Sequence, residues 1–197
     1  MRVNTQLMQT LFFNIIRGCW ITFSVVWVLA AAVTKRSVYR ESSRRRIRYS
    51  LLLVIGYLLL AKGHKCPYPF NAMVIPATEV SAGIGAVLCL AGLLFCLWAR
   101  LTLGRNWSGT ITLKQEHELI ERGPYQLVRH PIYTGLLSMC LGTAIAIGHF
   151  AGFIGVLFVF VSFWVKLADE ETLMLQHFPA KYAAYQQRVK RIIPLVL

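Results

Sequence analysis

Charge is scarce in this chain of 197 residues: only 15% are Asp, Glu, Lys or Arg, and the acidic ones number eight against 21 basic. An ordinary soluble surface carries nearer a quarter charged residues, so a soluble globular domain is excluded. The five cysteines form no C-x-x-C pair, and Cys19, Cys89, Cys96 and Cys140 lie in apolar stretches. That pattern excludes a disulfide scaffold and leaves small packed core residues. No metal centre is expected, because His64 and Cys66 are neighbours but two ligands do not make a site. Apolar residues are what the chain has in excess, at 56% hydrophobic with a mean hydropathy of +0.55. The net charge of +13 would suit nucleic acid, but the basic residues sit between hydrophobic runs and not on a displayed face. They read as loop charges of a polytopic membrane protein, and no nucleic-acid partner is expected.

Five apolar stretches are predicted to cross the bilayer. Residues 11–33 suffice at about 1.5 Å of rise per residue, with Arg17 placed to snorkel. Ala30-Ala31-Ala32 resembles a signal-peptidase site, but Lys35-Arg36 and the basic run to Arg48 argue for a retained anchor. That run, 35–48, is expected to lie against anionic lipid. The second stretch, Tyr49 to Ala61, is short for a crossing, and residues 62–76, with three prolines, make a poor helix. The third runs from about Ala77 to Leu103, and Ala82, Gly83, Gly85, Ala86 and Gly92 suit close helix packing. The fourth (132–147) and fifth (151–167) are separated only by Gly148, His149 and Phe150, which predicts a tight antiparallel hairpin. Gly142/Ala146 and Gly148/Gly152 are expected to offer small-residue faces there. The tail from Asp169 is amphipathic, is broken by Pro179 into two short helices, and suits a membrane interface.

Sixteen of the 21 Lys and Arg fall in 35–48, 100–129 and 181–191, all on one side if there are five crossings. The positive-inside rule then places the N-terminus outside and the C-terminus in the cytoplasm. On that topology the sequon Asn106-Trp107-Ser108 faces the cytoplasm and is a coincidence.

Residues 117–135, HELIERGPYQLVRHPIYTG, form the longest polar run outside the basic segment. Two X-Pro steps bias it away from helix, so it reads as an extended, turning strap carrying His117, Tyr125, His130 and Tyr133. At the inner end of the fifth stretch stand Lys166, Asp169, Glu170 and Glu171, with Lys166 and Glu170 on one helix face. A cation and an anion at a membrane boundary, facing aromatic rings, would hold a charged ligand beside a lipidic one. Each residue also has a plainer role: a snorkelling lysine, carboxylates serving a helix dipole, tyrosines of an aromatic belt, a histidine bonded to a carbonyl.

The strap, followed after the hairpin by DEETLMLQHFPAKYAAYQQRV, resembles the isoprenylcysteine carboxyl methyltransferase family over about residues 77–193. The family pattern H-x-L-x-x-x-G-x-Y-x-x-x-R-H-P-x-Y-x-G is met from His117 to Gly135, and the tail supplies the acidic pair and F-x-x-x-Y-x-x-Y. The R-H-P-x-Y element alone is also similar to membrane sterol reductases and phospholipid methyltransferases. The resemblance implies an all-α polytopic membrane protein of about five transmembrane helices, whose cytoplasmic cofactor pocket is closed by the C-terminal amphipathic helix. It divides the chain into residues 1–76, two membrane helices with a basic loop, and residues 77–197, the methyltransferase core with its cofactor strap at 104–133. S-adenosylmethionine would be lined by His117, Glu118, Leu119, Ile120, Tyr125, His130, Pro131, Ile132 and Tyr133, and enclosed by Glu170 from the tail. Lys166 would bind substrate, and Lys166 and Glu170 would be the catalytic pair. Two departures stand out: Lys166 where the family carries Arg, which keeps the charge but loses the bidentate fork, and Pro179 where it carries Gly.

The implied reaction moves a methyl group to a lipophilic acceptor, most simply a carboxylate of the isoprenylcysteine type, with membrane lipid around it. A carboxylate needs no base; an amine or thiol would, and Glu170 is the nearest candidate. An NADPH-dependent sterol-type reductase, a phospholipid or amine N-methyltransferase and a non-catalytic membrane module are the alternatives. Against the reductase, only Arg105 and Arg129 are available for a 2′-phosphate.

Overall fold

The structure is a computed structural model that describes residues 2–31, 37–40, 42–107, 112–114 and 119–194. Its helices are α1 (Arg2–Ala31), α2 (Ser43–Lys62), α3 (Glu79–Leu103), α4 (Pro131–Ile147), α5 (Phe150–His177) and α6 (Pro179–Arg188). Short strands β1 (Ser37–Arg40) and β2 (Thr112–Lys114) pair antiparallel. Four helices, α1, α2, α3 and α5, are long and apolar enough to cross a membrane, and the 17-residue α4 is shorter. The chain is an integral membrane protein of the all-α class; each of the five apolar stretches is a helix, and among the described residues four of the five are long enough to span.

Local chemistry sets the boundaries. The Thr78 hydroxyl accepts from the Ser81 amide at 3.1 Å while the Ser81 hydroxyl accepts from the Thr78 amide at 3.0 Å, a reciprocal cap that starts α3. Pro131 and Pro179 occupy the first positions of α4 and α6, where a missing N–H costs nothing. Gly148 takes φ +79°, a left-handed conformation, and turns α4 into α5 as the hairpin predicts. α2 begins at Ser43, so it has 20 residues and not the 13 of its apolar part. Arginine is a good helix former, and recruiting part of the basic run removes the length deficit.

Glycine notches hold the bundle together. A Cβ on Gly92 would stand 2.5 Å from the Gly135 carbonyl oxygen, and one on Gly135 would stand 2.5 Å from that of Gly92. Gly142 and Ala146 likewise offer a small-residue face, to Gly85 on α3, and Gly152 packs across the α4–α5 turn on Ala144. Gly56 and Gly155 interlock α2 with α5 in the same manner, at 2.8 and 2.6 Å. Lipid tails are as apolar as leucine, so close backbone approach supplies the attraction between helices that water supplies elsewhere. Gly135→Ala should therefore force α3 and α4 apart, costing about 1–3 kcal/mol. A lower unfolding midpoint in detergent checks this. Cys89, Cys96, Met139, Cys140, Ala144 and Val159 fill the interior between the notches, and all five cysteines are free.

Two segments depart from expectation. β1 lies in the basic run and pairs with β2 in the strap, so those residues form a ribbon where a lipid-bound loop is predicted. The tail turns back on the strap: the amides of Arg129 and His130 donate to the carbonyls of Lys190 and Arg191 at 2.8 and 3.1 Å. The Thr134 hydroxyl adds a bond to the Ile192 carbonyl at 2.7 Å. The tail is not two short helices: good helix formers carry α5 unbroken past Asp169 to His177, and only α6, which Pro179 begins, stands apart, with Tyr182 and Tyr185 buried against protein.

Candidate active site

The last two turns of α5 carry two adjacent glutamates. Neighbours on a helix point about 100° apart, so the pair divides between two surroundings. Glu171, 3% exposed, faces the strap and the returning tail. Its Oε1 accepts from Arg129 Nε and Nη2 at 2.9 and 2.8 Å, with His130 Nε2 at 3.0 Å. Its Oε2 accepts from Arg191 Nε and Nη2 at 3.1 and 2.5 Å and from Gln186 Nε2 at 3.2 Å. Arg129 Nη1 further donates to the Gln186 carbonyl at 3.3 Å and to the Val189 carbonyl. The Arg191 guanidinium lies 4.6 Å over the Trp164 ring. One carboxylate thus ties the strap, α5 and the tail together.

Glu170 faces a cavity of about 440 Å³. Tyr133 donates its hydroxyl to Glu170 Oε1 at 2.9 Å, and Lys166 Nζ stands 3.7 Å from the same oxygen. His130 Nδ1 lies 3.8 Å from Glu170 Oε2, so the imidazole stands between the two glutamates. The cavity is lined by polar side chains, Tyr125, His130, Tyr133, Lys166, Glu170 and Tyr182, and by apolar and aromatic ones, Phe23 and Trp27 of α1, Leu53 and Tyr57 of α2, Leu136 of α4 and Phe163 of α5. Burial, reinforced by nearby acidic groups, pushes the phenols of Tyr125, Tyr182 and Tyr185 above their ordinary value. They stay protonated, and Tyr185 donates to the Tyr125 carbonyl at 2.5 Å.

Of the residues singled out from sequence, Leu119, Ile120, Tyr125, His130, Pro131, Ile132, Tyr133, Lys166 and Glu170 line this one cavity. His117 and Glu118 lie outside the described residues. Sequence reasoning missed four contributions. Phe23 and Trp27, one turn apart with rings stacked at 4.0 Å, give the cavity an aromatic wall. Trp107 meets Trp27 edge-on at 6.2 Å and lies beneath Arg100 at 4.9 Å, and Asn106 and Trp107 both line the cavity. Arg129 is a buried ion-pair partner of Glu171 and not a surface charge. Arg191 belongs to the same cluster. The i, i+4 spacing of Phe23 and Trp27 was the one available signal.

A helical membrane bundle thus encloses a cavity lined by both ionic and aromatic side chains. Residues 80–181 match the phospholipid methyltransferase family, just over half the chain, and the chain belongs to that family of methyltransferases. It is 28% identical over 176 residues to a probable protein-S-isoprenylcysteine O-methyltransferase of Oryza sativa subsp. indica, covering 86% of this chain and 88% of that protein. It is 28% identical over 161 residues to protein-S-isoprenylcysteine O-methyltransferase of Schizosaccharomyces pombe, covering 75% and 67%. Among solved structures, a eukaryotic intramembrane Ras methyltransferase, isoprenylcysteine carboxyl methyltransferase, superposes with a TM-score of 0.57 at 23% identity. That match covers 81% of this chain and spans 55% of the solved one, a likeness of fold.

Proposed function

We propose that the protein transfers a methyl group from S-adenosylmethionine to the carboxylate of a lipophilic acceptor of the isoprenylcysteine type. The observation that carries this reading is the continuity of the cavity, from the ionic cluster at Lys166 and Glu170 to the aromatic wall at Phe23 and Trp27. Its polar end suits a cationic cofactor: the Glu170 carboxylate is 22% exposed and ringed by the phenols of Tyr125, Tyr133 and Tyr182. Leu119, Ile120, Tyr125, His130, Pro131, Ile132 and Tyr133 would hold it, with His117 and Glu118 completing the set from the strap. When bound, S-adenosylmethionine supplies an electrophilic methyl on a sulfonium.

The residues of the chain do the rest. Lys166, 8% exposed, presents a cation to the acceptor's carboxylate, which is already ionised and needs no base. Tyr133 and His130 steady Glu170, which balances cationic charge at the polar end. The buried walls exclude water, which would otherwise stabilise the separated charges of the ground state, and hold the reacting atoms at near-attack distance. In this arrangement residues 77–197 form the core around the cofactor and residues 1–76 the wall toward the acceptor's apolar chain. The crowding of Lys and Arg around the strap supports a cytoplasmic cofactor site and C-terminus, with the N-terminus outside.

The family name raises a phospholipid amine as acceptor, but a buried lysine beside the reacting group disfavours a second cation. Methyltransferase membership likewise favours methyl transfer over the NADPH-dependent reductase. Purified protein should bind S-adenosylmethionine by calorimetry and label a prenylcysteine carboxylate with donor methyl. The product should release methanol in alkali, as an ester does and an N-methyl amine does not. Absence of donor binding, or donor binding unmoved by His130→Ala and Glu170→Ala, would sink the proposal.

A further inference from the structure

Asn106 ends the short 3-10 turn Gly104–Asn106 that follows α3, and its side chain lines the cavity. The place of that turn is fixed on both sides. Gly104 takes φ +54°, a left-handed value that suits glycine and bends the chain out of α3. Arg100, buried on α3, donates from Nη1 to the Gly104 carbonyl at 2.5 Å and from Nη2 to the Ala30 carbonyl of α1 at 2.9 Å. The same guanidinium lies over the ring of Trp107, next in the chain after Asn106. Asn106 Oδ1 is nevertheless buried and has no hydrogen-bond partner among the described residues. Two other buried side-chain atoms share that condition, Arg100 Nε and Asp169 Oδ2, and neither residue lines the cavity. Buried polar atoms are almost always paired, so an amide oxygen left over in a ligand cavity points to a partner on the ligand.

We propose that Asn106 is a specificity-determining residue for the methyl acceptor: its Oδ1 receives the N–H of an amide carried beside the carboxylate. This rests on the reading of the cavity as a methyl-transfer site for an isoprenylcysteine-type carboxylate. Such a molecule bears its amide nitrogen on the carbon next to the carboxylate, so the two groups present a fixed pair. In a cavity of about 440 Å³, Lys166 on α5 and Asn106 after α3 reach one ligand from separate elements. Position favours the methyl acceptor over the methyl donor. Trp107 meets Trp27, which stacks on Phe23, so Asn106 adjoins the aromatic wall given above to the acceptor's apolar chain. A lysine alone would take any lipid carboxylate. A free fatty or isoprenoid acid brings no N–H, so its binding covers Oδ1 with hydrocarbon and leaves it without a partner. An amidated amino acid or the C-terminus of a peptide supplies that partner. Asn106 thereby selects amide-bearing carboxylates over simple lipid acids.

The test is a double cycle with the full-length protein in lipid nanodiscs and S-adenosylmethionine as donor. N-acetyl-S-farnesylcysteine is compared with its depsi analogue, in which an ester oxygen replaces the amide N–H at nearly constant shape. Unmodified protein should lose roughly ten- to a hundredfold in kcat/KM on the depsi analogue, the range for a buried polar group left unpaired. Asn106→Leu, and the smaller Asn106→Ala, should use the two compounds nearly equally, since the oxygen that reads the N–H is gone. Donor binding by calorimetry should hold in both variants. Unmodified protein that methylates the two compounds alike overturns the role of Asn106 and leaves methyl transfer intact. A preference for the amide that survives in both variants overturns it as well, because another group then reads the N–H. A fall in donor affinity in place of the acceptor effect would give Oδ1 to the donor's adenine amine and end the proposal. If unmodified protein binds donor but methylates neither compound, the underlying reading fails and this inference fails with it.

Discussion

Glu171→Ala is expected to be the most damaging single substitution at the site, although Glu171 does not line the cavity. It removes the carboxylate that pairs with Arg129 and Arg191 and meets His130, whose side chains are 9%, 22% and 11% exposed. Removing one partner of a buried pair costs about 3–5 kcal/mol, because the remaining charges stay in low dielectric without compensation. For a domain of this size that is a fall of roughly 10 °C in unfolding midpoint. The tail should detach from the strap, which proteolysis would show as rapid cleavage near residues 186–192. Donor binding should be lost with it, because Tyr182 and Tyr185 leave the wall of the cavity. Glu121 gives the contrast. It pairs with Arg188 at 2.7 Å, but the two side chains are 33% and 66% exposed. Such pairs contribute under about 1 kcal/mol, so Glu121→Ala should leave the midpoint nearly unmoved. If the two substitutions behave alike, the central place given to Glu171 is wrong.

Lys166→Met should show the opposite profile, a stable protein that binds donor and fails to use acceptor. Methionine matches the length and apolar stem of lysine, so the packing against Tyr133 and Tyr49 is largely kept. What disappears is the cation. A charged group that orients an anion and balances it through the transition state is worth about 2.7–4 kcal/mol, a fall of 10²–10³ in kcat/KM. Steady-state kinetics with the prenylcysteine carboxylate, beside calorimetry with the donor, separate the two effects. Lys166→Arg should restore much of the activity, since the charge returns, with the residual loss reporting how far the planar guanidinium departs from the place of the ammonium. A Lys166→Met protein with full turnover would remove Lys166 from the site altogether.

The strap was readable because its chemistry is local. X-Pro steps at Gly123-Pro124 and His130-Pro131 dictate turns, and Pro131 starts a helix wherever it is followed by an apolar run. The α4–α5 hairpin was readable for the same reason, through Gly148. The second helix was drawn too short because hydropathy reports where lipid is tolerated and not where the backbone stays helical; the arginines at the start of α2 extend it into the boundary. The tail's protein contacts were not legible because an amphipathic face has the same pattern whether it meets lipid or protein. Only the strap, offering backbone partners at Arg129 and His130, decided for protein.

Taken alone, the order of residues determined the membrane class, the number and approximate position of the helices, the turning strap and the presence of an acidic pair beside Lys166. These follow from short-range rules: apolar run length, proline and glycine stereochemistry, and helical spacing. Tertiary packing alone decided that Glu170 opens on the cavity while Glu171 binds the tail, that α1 and α2 furnish its aromatic wall, and that Tyr49 sits against Lys166. The physical reason is range. An ion pair or ring contact between residues far apart in the chain depends on how glycine notches set the depth of whole helices, and no local pattern carries that depth.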